Sequence, residues 1–233
     1  MAQPDNFGFG EEAALLKASA RKFFTEKFPT RALHSLVASD HNPERANECL
    51  WDRELWQQLV ALGWTMLAVP EEAGGVGMPV VAVAGLVEEL GRAAFPCPLL
   101  GTINASYVLI ACGANGAPAL AEIAGGQSAT LALSNRAGSW SAEATEVTSD
   151  GGKLNGSAWF VQDARKADNF LVCAKTATGL GLYWVAADAA GIAVYADAIV
   201  DLTRDQAHIS FDDVAAVELT GDALAALTLA MPA

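Results

Sequence analysis

Apolar residues in the first half of the chain recur with the period of an α-helix. Between positions 11 and 28, apolar side chains return every three or four residues and charged side chains fill the intervals. This is the pattern of an amphipathic helix. Pro29 ends the helix, and glycines such as Gly63 and Gly113 end later ones. The same spacing predicts helices over 51–62, 79–91, 99–112 and 117–124.

The pattern changes after Ser128 into short apolar runs separated by turn residues. Short strands at regular spacing are typical of an antiparallel barrel or sandwich. Asn155-Gly156 is the dipeptide that best tolerates the positive φ angles of a two-residue hairpin, so it predicts a turn. A final helix is predicted over 221–231. The predicted strands are 129–134, 144–148, 157–161, 170–174, 182–186, 192–195 and 207–211.

We therefore expect an α+β fold with two domains and the start of a further helical region. The boundary is placed near Gly125, where the last helix of the first half ends and the periodicity changes. The predicted N-terminal α-helical domain spans 1–124, and the predicted middle domain, an antiparallel β-barrel or sandwich, spans 125–216. Residues 217–233 are predicted to begin a C-terminal helical region.

Composition and charge restrict the class of partner. The chain has 233 residues, 52% of them hydrophobic and 18% charged, which is typical of a globular protein with a sizeable core. Its formal net charge of −13 comes from acidic residues spread along the sequence, so we expect no basic surface for nucleic acid. The same charge opposes anionic ligands. A site for such a ligand must use local backbone N–H groups or a few basic residues.

The cysteines and histidines form no disulfide or metal pattern. The four cysteines lie among apolar residues without a C-x-x-C pair, so we expect buried, reduced thiols and a cytoplasmic location. The histidines are isolated, so no metal site is predicted. The N-terminus lacks the features of a signal peptide, and no apolar run approaches the length of a membrane span. The residues concerned are Cys49, Cys97, Cys112, Cys173, His34, His41 and His208.

Two stretches resemble one protein family. Residues 154–175, LNGSAWFVQDARKADNFLVCAK, combine Asn-Gly, a nearby tryptophan, a polar break, Ala-Asp and an apolar strand. This order resembles the middle β-domain of the acyl-CoA dehydrogenases. Residues 62–77, LGWTMLAVPEEAGGVG, followed by 87–92, VEELGR, and Pro96, resemble the N-terminal helical domain of the same family. The two matches cover most of the chain, at about the spacing that the family has.

The resemblance implies a flavoprotein that removes a proton from Cα and a hydride from Cβ of an acyl-CoA thioester, with the hydride going to N5 of FAD. In the family, the tryptophan matched by Trp159 and the two residues after it, here Phe160 and Val161, lie along the flavin ring. The backbone N–H at the Val161 position reaches the N5/O4 edge, often together with a hydroxyl that valine lacks. Without its flanking motif, Trp159 would be better explained as a cross-strand aromatic residue.

A second flavin segment of the family reads approximately Ala-Leu-Thr-Glu-Pro-x-Ala-Gly-Ser-Asp. Residues 132–140, ALSNRAGSW, are similar to it and one residue shorter, with asparagine for glutamate and tryptophan for aspartate. The match implies that Leu133 supplies an apolar flavin contact and Ser134 a hydroxyl. It also implies that Gly138 and Ser139 form a small turn able to approach a phosphate. These residues complete the predicted FAD-binding set.

No residue of this chain matches the catalytic glutamate of the family. In the family, a C-terminal four-helix domain follows the barrel, supplies that base and builds the oligomer. This chain ends about where the first helix of that domain begins. We therefore expect no catalytic residue on this chain, an acyl-CoA thioester as its ligand, and a homo- or hetero-oligomer with an acyl-CoA dehydrogenase subunit.

Two alternatives stay open at this point. One is a non-catalytic subunit, degenerate or truncated, that acts as a structural or acyl-CoA-binding partner. The other is a helix-plus-barrel protein without a flavin. Two local features have simple explanations as well. The glycine-rich stretch 69–77 is more simply an ordered connection than a wall of an acyl pocket, and Glu88-Glu89 are most simply a solvated helix edge.

Overall fold

A computed structural model describes residues 10–38 and 48–230, which form a helical region, a mixed sheet and a last helix. His41, the residues before position 10 and those after position 230 lie outside this description. Helix α2 has no counterpart among the predicted elements. The helices are α1 (Glu11–Lys27), α2 (Thr30–Val37), α3 (Arg53–Ala61), α4 (Val80–Ala93), α5 (Leu99–Ala111), α6 (Ala117–Ala124) and α7 (Ala223–Ala230).

The amphipathic helices bury their apolar faces in one group of side chains, called here the helical cluster. Phe24 on α1 is 1% exposed, and its ring lies against those of Trp64 and Phe95. Helix α3 begins where the Asp52 carboxylate accepts the Leu55 N–H at 2.9 Å, which satisfies one of the free N-terminal donors. The buried members of the helical cluster are Ala20, Phe24, Phe28, Leu55, Trp56, Leu59, Trp64, Leu67, Ala68, Val83, Leu86, Leu90, Phe95, Cys97, Leu99 and Ile103.

The prediction of a solvated edge at Glu88-Glu89 is wrong for the second residue. Glu88 is exposed and pairs with Lys17, but the Glu89 side chain is 0% exposed. Because α1 packs against α4, Arg21 reaches across with Nη2 at 2.8 Å from Glu89 Oε1, and Arg92 donates to Oε2 at 2.7 Å. The hydrogen bond from Arg21 holds the pKa of the Glu89 carboxyl below its usual range, so Glu89 is an ionised group held between two helices.

One sheet follows the helices, in the strand order β6-β7-β3-β2-β4-β5-β8, with β1 beside β4. The α+β class is confirmed. The expected antiparallel arrangement is corrected to a mixed one, because β1 and β2 each pair with β4 in parallel. The long connection from β1 to β4 returns the chain to the same end of the sheet, as parallel pairing requires. The strands are β1 (Ala129–Ala132), β2 (Thr148–Asp150), β3 (Lys153–Gln162), β4 (Asn169–Lys175), β5 (Leu180–Ala186), β6 (Ile192–Ala196), β7 (Gln206–Ala215) and β8 (Val217–Thr220).

The turn predicted at Asn155-Gly156 lies inside strand β3 instead. The β2–β3 turn is made by Gly151-Gly152, whose φ angles are 56° and 79°. Gly156 has a φ of 115° and occupies a break in the β3–β7 register, where an added Cβ would lie 2.2 Å from the Glu146 carbonyl oxygen. The backbone freedom of Asn-Gly is therefore used at a bulge within the strand and not at a hairpin.

Two other segments differ from their expected boundaries. A 3-10 turn over Ala142–Ala144, followed by β2, replaces the strand expected over 144–148. Residues 217–220, expected to begin a helical region, form the edge strand β8 against β5 and bury Leu219. Helix α7 begins only at Ala223 and packs on α5 and β5. In the described part of the chain, no helix is both long enough and apolar enough to cross a membrane.

Two further apolar clusters lie on the two faces of the central strand β4, since its side chains alternate. The interface cluster joins the helices to the sheet, and the sheet cluster fills the opposite face. The buried interface cluster comprises Val69, Ala105, Val108, Leu109, Ala119, Leu120, Ile123, Ala129, Leu133, Ala142, Leu171, Cys173, Leu182, Trp184, Leu219, Ala223, Ala226 and Leu227. The buried sheet cluster comprises Ala132, Val147, Leu154, Ala158, Val161, Ala164, Phe170, Val172, Ala174, Tyr183, Val185, Ala207, Ile209, Phe211 and Val214.

Candidate functional site

The candidate site centres on a second bulge in β3, which we call the aromatic bulge, at Trp159-Phe160. Ala158 is paired with Ile209 of β7 and Val161 with Ala207, so two residues of β3 face the single residue between those partners. Phe160 has a φ of 54°, a value that bulky side chains rarely adopt. Such a conformation costs roughly 1–3 kcal/mol and persists only where the surrounding structure enforces it. Bulges and strained residues of this kind are concentrated beside functional sites.

A column of aromatic rings stands on the aromatic bulge. His208, the β7 residue opposite it, stacks on the Trp159 ring with centroids 4.4 Å apart and planes 18° apart. On the next strand Tyr195 is the cross-strand neighbour of His208 and stacks on it at 4.9 Å and 17°. The Asp197 carboxylate lies 3.3 Å from His208 Nδ1. The pairing of β6, β7 and β3 therefore aligns three rings and a carboxylate.

Two polar atoms of this column are buried and have no hydrogen-bond partner among the described residues: Trp159 Nε1 and Asp197 Oδ2. Leaving a buried donor or acceptor unpaired costs about 1–3 kcal/mol, so such atoms are uncommon in folded proteins. The Arg136 guanidinium lies over the Trp159 ring, with Cζ 5.1 Å from the ring centroid. The site thus offers an aromatic surface, an unused indole N–H donor and a nearby cation.

Residues 134–140, called here the site loop, close against the aromatic bulge. The Trp159 backbone N–H donates to the Ser134 carbonyl at 2.9 Å. Asn135 holds the loop in a turn: its carbonyl accepts the Gly138 N–H at 2.9 Å and its side-chain Oδ1 accepts the Ser139 N–H at 2.9 Å. Both amides of the turn predicted to approach a phosphate are therefore already engaged within the loop.

The structure brings some of the predicted cofactor-binding residues together and places others in the core. The site loop carries Ser134, Gly138 and Ser139, and a Cβ added at Gly138 would lie 3.9 Å from Phe160 Cε2. Leu133 belongs to the interface cluster and Val161 to the sheet cluster, each 2% exposed, so their side chains serve packing.

Sequence reasoning did not single out four residues of the site: Arg136, Tyr195, Asp197 and His208. Arg136 had a signal, because it stands in the segment that departs from the family pattern. The other three had none, since their approach to Trp159 depends on the register of β6 and β7 against β3. An aromatic surface bordered by a cation and an N–H donor can hold a planar, acceptor-bearing ring with an anionic substituent.

A buried charge network fixes the loop between β3 and β4, directly after the site. Lys166 Nζ donates to Asp163 Oδ1 at 2.7 Å with its own side chain 0% exposed. Arg165 Nε donates to Asp205 Oδ1 at 2.8 Å and so ties this loop to the β6–β7 connection. Burial raises the pKa of the Asp163 carboxyl above its ordinary value, and the nearby Lys166 ammonium opposes that rise.

The cysteines are free thiols, and none belongs to the site just described. Cys97 and Cys173 are buried as expected, whereas Cys49 and Cys112 are only partly buried. Burial raises the pKa of Cys97 to about 12 and the pKa values of Cys112 and Cys173 to about 11, so these thiols stay protonated at neutral pH. Among the residues that the structure describes, no group of three or more metal-binding side chains occurs.

Comparison with known proteins relates most of the chain to one family. Residues 10–122 match the family model described as acyl-CoA dehydrogenase, N-terminal domain. The acyl-CoA dehydrogenase IpdE2 of Mycobacterium tuberculosis is 35% identical over 117 residues, which are 50% of this chain and 34% of that protein. This chain therefore spans about a third of the length of that curated relative.

Solved structures extend the match through the sheet. The Tcur3481-Tcur3483 steroid ACAD matches with a TM-score of 0.77 and 30% identity, over 95% of this chain and 61% of that one. The ChsE4-ChsE5 complex of Mycobacterium tuberculosis has the same fold, with a TM-score of 0.75, 24% identity, and 94% and 60% coverage. So does an acyl-CoA dehydrogenase of Bacillus anthracis complexed with FAD, with a TM-score of 0.72, 21% identity, and 93% and 38% coverage. With the two sequence motifs and the α+β fold, these matches show that the chain belongs to the acyl-CoA dehydrogenase family.

Proposed function

We propose that this chain supplies the flavin-binding part of an acyl-CoA dehydrogenase. The observation that carries the proposal is the hydrogen bond from Trp159 N–H to Ser134 O, which joins the two segments that the resemblance assigns to FAD. Together they present an indole whose N–H has no acceptor among the described residues. That unused donor suits a heteroaromatic ring with acceptor atoms.

In this proposal the flavin ring lies along Trp159 and Phe160, and the site loop lies beside it. FAD would supply the acceptor for the hydride that leaves Cβ of an acyl-CoA thioester. The chain's own part is to bind and orient the ring. Val161 can contribute only its backbone N–H. The hydroxyl contact that the family often has at this position is therefore missing, which weakens flavin binding by about 1 kcal/mol.

The catalytic base and much of the acyl-CoA site are proposed to come from polypeptide outside these 233 residues. The resemblance assigns the base to the family's four-helix domain, and no carboxylate of this chain matches it. We propose that this chain works in an oligomer, with itself or with another acyl-CoA dehydrogenase subunit. The matched ChsE4-ChsE5 complex is a precedent for association within this fold. We also propose a cytoplasmic location, since free thiols persist in a reducing compartment.

A second candidate is a non-catalytic subunit that keeps the fold without the flavin. Three observations favour it. The backbone amides of Gly138 and Ser139 already donate hydrogen bonds to Asn135. Arg136 lies over the ring of Trp159, and Val161 lacks a hydroxyl. Each reduces the contacts that the resemblance assigns to FAD. This candidate predicts a stable protein that takes up no flavin.

The two candidates are separated by the visible absorption spectrum of the purified chain, taken before and after addition of FAD. Denaturation then shows whether flavin is released. We expect a flavin spectrum after reconstitution, lost in Trp159→Ala because the stacking surface is removed. Trp140→Ala is the matched control, since Trp140 lies in the site loop but is 60% exposed. A colourless wild-type protein that takes up no FAD would select the non-catalytic subunit.

A further inference from the structure

An acidic chain must neutralise an anionic cofactor locally, and the site loop shows how. The formal net charge is −13, so a phosphate group approaches against the general field of the protein. We propose that Arg136 is the phosphate contact of this chain for a flavin nucleotide, in place of the backbone amides of Gly138 and Ser139. This inference rests on the proposed flavin binding and assigns it a residue at which the segment departs from the family pattern.

The two amides that the resemblance assigns to a phosphate, those of Gly138 and Ser139, are not free to hold an anion. Gly138 N–H and Ser139 N–H donate to Asn135, and the Asn135 N–H donates in turn to the Ser139 carbonyl at 3.2 Å. Just after the site loop, Ser141 N–H donates to Ser139 Oγ at 3.3 Å. A phosphate could recruit these amides only by breaking the turn that holds the loop in shape.

Arg136 is placed and available for this role. It sits in the same turn, is exposed, and has no ion pair with a carboxylate among the described residues. Two other cations of the sheet region are engaged: Lys166 with Asp163 and Lys153 with Asp213. The guanidinium also offers donors in a planar fork that matches phosphate oxygens.

Arg136 can contact Trp159 in the free protein and a phosphate in the flavin complex. The guanidinium covers the indole face, with Cζ 5.1 Å from the ring centroid. A cation–π contact at an exposed position is weaker than charge-assisted hydrogen bonds to a phosphate. A flavin nucleotide would therefore displace the guanidinium from the ring and receive it at the phosphate, by rotation of an exposed side chain alone.

Three flavins test the inference with the full chain: riboflavin, which has no phosphate, FMN and FAD. Their dissociation constants are measured by flavin fluorescence for wild type, Arg136→Gln and Arg53→Gln. The second variant is a matched control, because Arg53 lies over the Trp51 ring at 5.2 Å in the helical region. We expect Arg136→Gln to weaken FMN and FAD by about tenfold or more, and to change riboflavin by less than about twofold. Arg53→Gln should change none of them.

The salt dependence gives an independent measurement. Added salt should weaken FMN binding to wild type more steeply than to Arg136→Gln, because the screened charge pair is absent from the variant. Unchanged FMN and FAD binding in Arg136→Gln, or an equal loss for riboflavin, overturns the phosphate contact while leaving the proposed function intact. Wild-type protein that binds no flavin overturns both. Equal melting temperatures of the three proteins exclude unfolding as the cause of a loss.

Discussion

The helical region and the aromatic bulge differ in how their buried charged and polar groups are paired. In the helical region the buried Glu89 carboxylate is matched by two arginines from two helices. At the bulge, Trp159 Nε1 and Asp197 Oδ2 are buried with no partner in the described part of the chain, and Phe160 has a positive φ. The helical region also leaves one buried atom, the Tyr107 hydroxyl oxygen, without a hydrogen-bond partner among the described residues, so a single unpaired atom does not mark a site. What distinguishes the bulge is that two such atoms lie in one ring column beside a strained residue.

The same contrast appears in the two arginine–tryptophan pairs. Arg53 over Trp51 and Arg136 over Trp159 have similar distances, 5.2 Å and 5.1 Å. The second pair stands beside an unpartnered indole N–H and a closed loop, and the first does not. The distance between an arginine and a tryptophan ring is therefore not sufficient to mark a binding site. The unsatisfied polar groups around the pair distinguish the site from an ordinary surface contact.

The largest expected effect lies in the helical region, where packing dominates. Phe24→Ala should lower the free energy of unfolding by about 3–5 kcal/mol, because it removes a ring that is 1% exposed and leaves a cavity among Trp64 and Phe95. Urea denaturation followed by circular dichroism measures the change. Leu15→Ala, at a position 67% exposed on the same helix, should change it by less than about 0.5 kcal/mol. Equal losses in the two variants would contradict the assigned face of α1.

Much of this region could be predicted from the sequence, because helix periodicity and capping are local. The burial of Glu89 could not be predicted, because its partner Arg21 lies 68 residues away and the local charge pattern favours a solvated edge. The parallel pairing of β1 with β4 was missed for the same reason. In the site, a motif pointed to Trp159, but the stack with His208 depends on strand register, which a single sequence does not reveal.

The next effect concerns the buried charges that follow the bulge. Lys166→Met should cost about 3 kcal/mol of unfolding free energy, because it leaves the Asp163 carboxylate buried without its ion-pair partner. The double variant Asp163→Asn with Lys166→Met should recover part of that loss, since no buried charge remains. Urea denaturation of the single and double variants measures both. A double variant less stable than Lys166→Met would contradict the assignment of the cost to an unpaired charge.

A smaller effect is expected at Glu89, with a characteristic pH dependence. Its folded pKa is depressed, so its contribution is present above the ordinary carboxyl pKa and is lost as pH falls through the folded value. Glu89→Gln should cost about 1–2 kcal/mol at neutral pH, less than a fully buried pair, because Arg21 and Arg92 are 58% and 46% exposed.

The measurement at Glu89 is the difference in unfolding free energy between wild type and Glu89→Gln from pH 7 downward. The difference should shrink at pH values below the ordinary carboxyl value of 4.5. Glu88→Gln is the control and should change stability little at any pH, since Glu88 is 61% exposed. A Glu89→Gln difference that stays constant down to pH 2 would show that charge is not its source.

The smallest expected effect tests the backbone strain at the aromatic bulge. It is a reversal in the sign of the stability difference between glycine and alanine. In an ordinary strand glycine is less stable than alanine by roughly 0.5–1 kcal/mol. At Phe160, where φ is 54°, alanine keeps the strain and glycine releases it, so Phe160→Gly should be more stable than Phe160→Ala by about 1 kcal/mol. Ser157, in the same strand with an ordinary φ, provides the matched pair: Ser157→Gly should be less stable than Ser157→Ala.

Thermal and urea denaturation of the four variants measure both differences. If glycine is the less stable residue at both positions, the aromatic bulge stores no backbone strain, and its likeness to a preorganised binding site rests on the two buried atoms without a partner among the described residues, Trp159 Nε1 and Asp197 Oδ2.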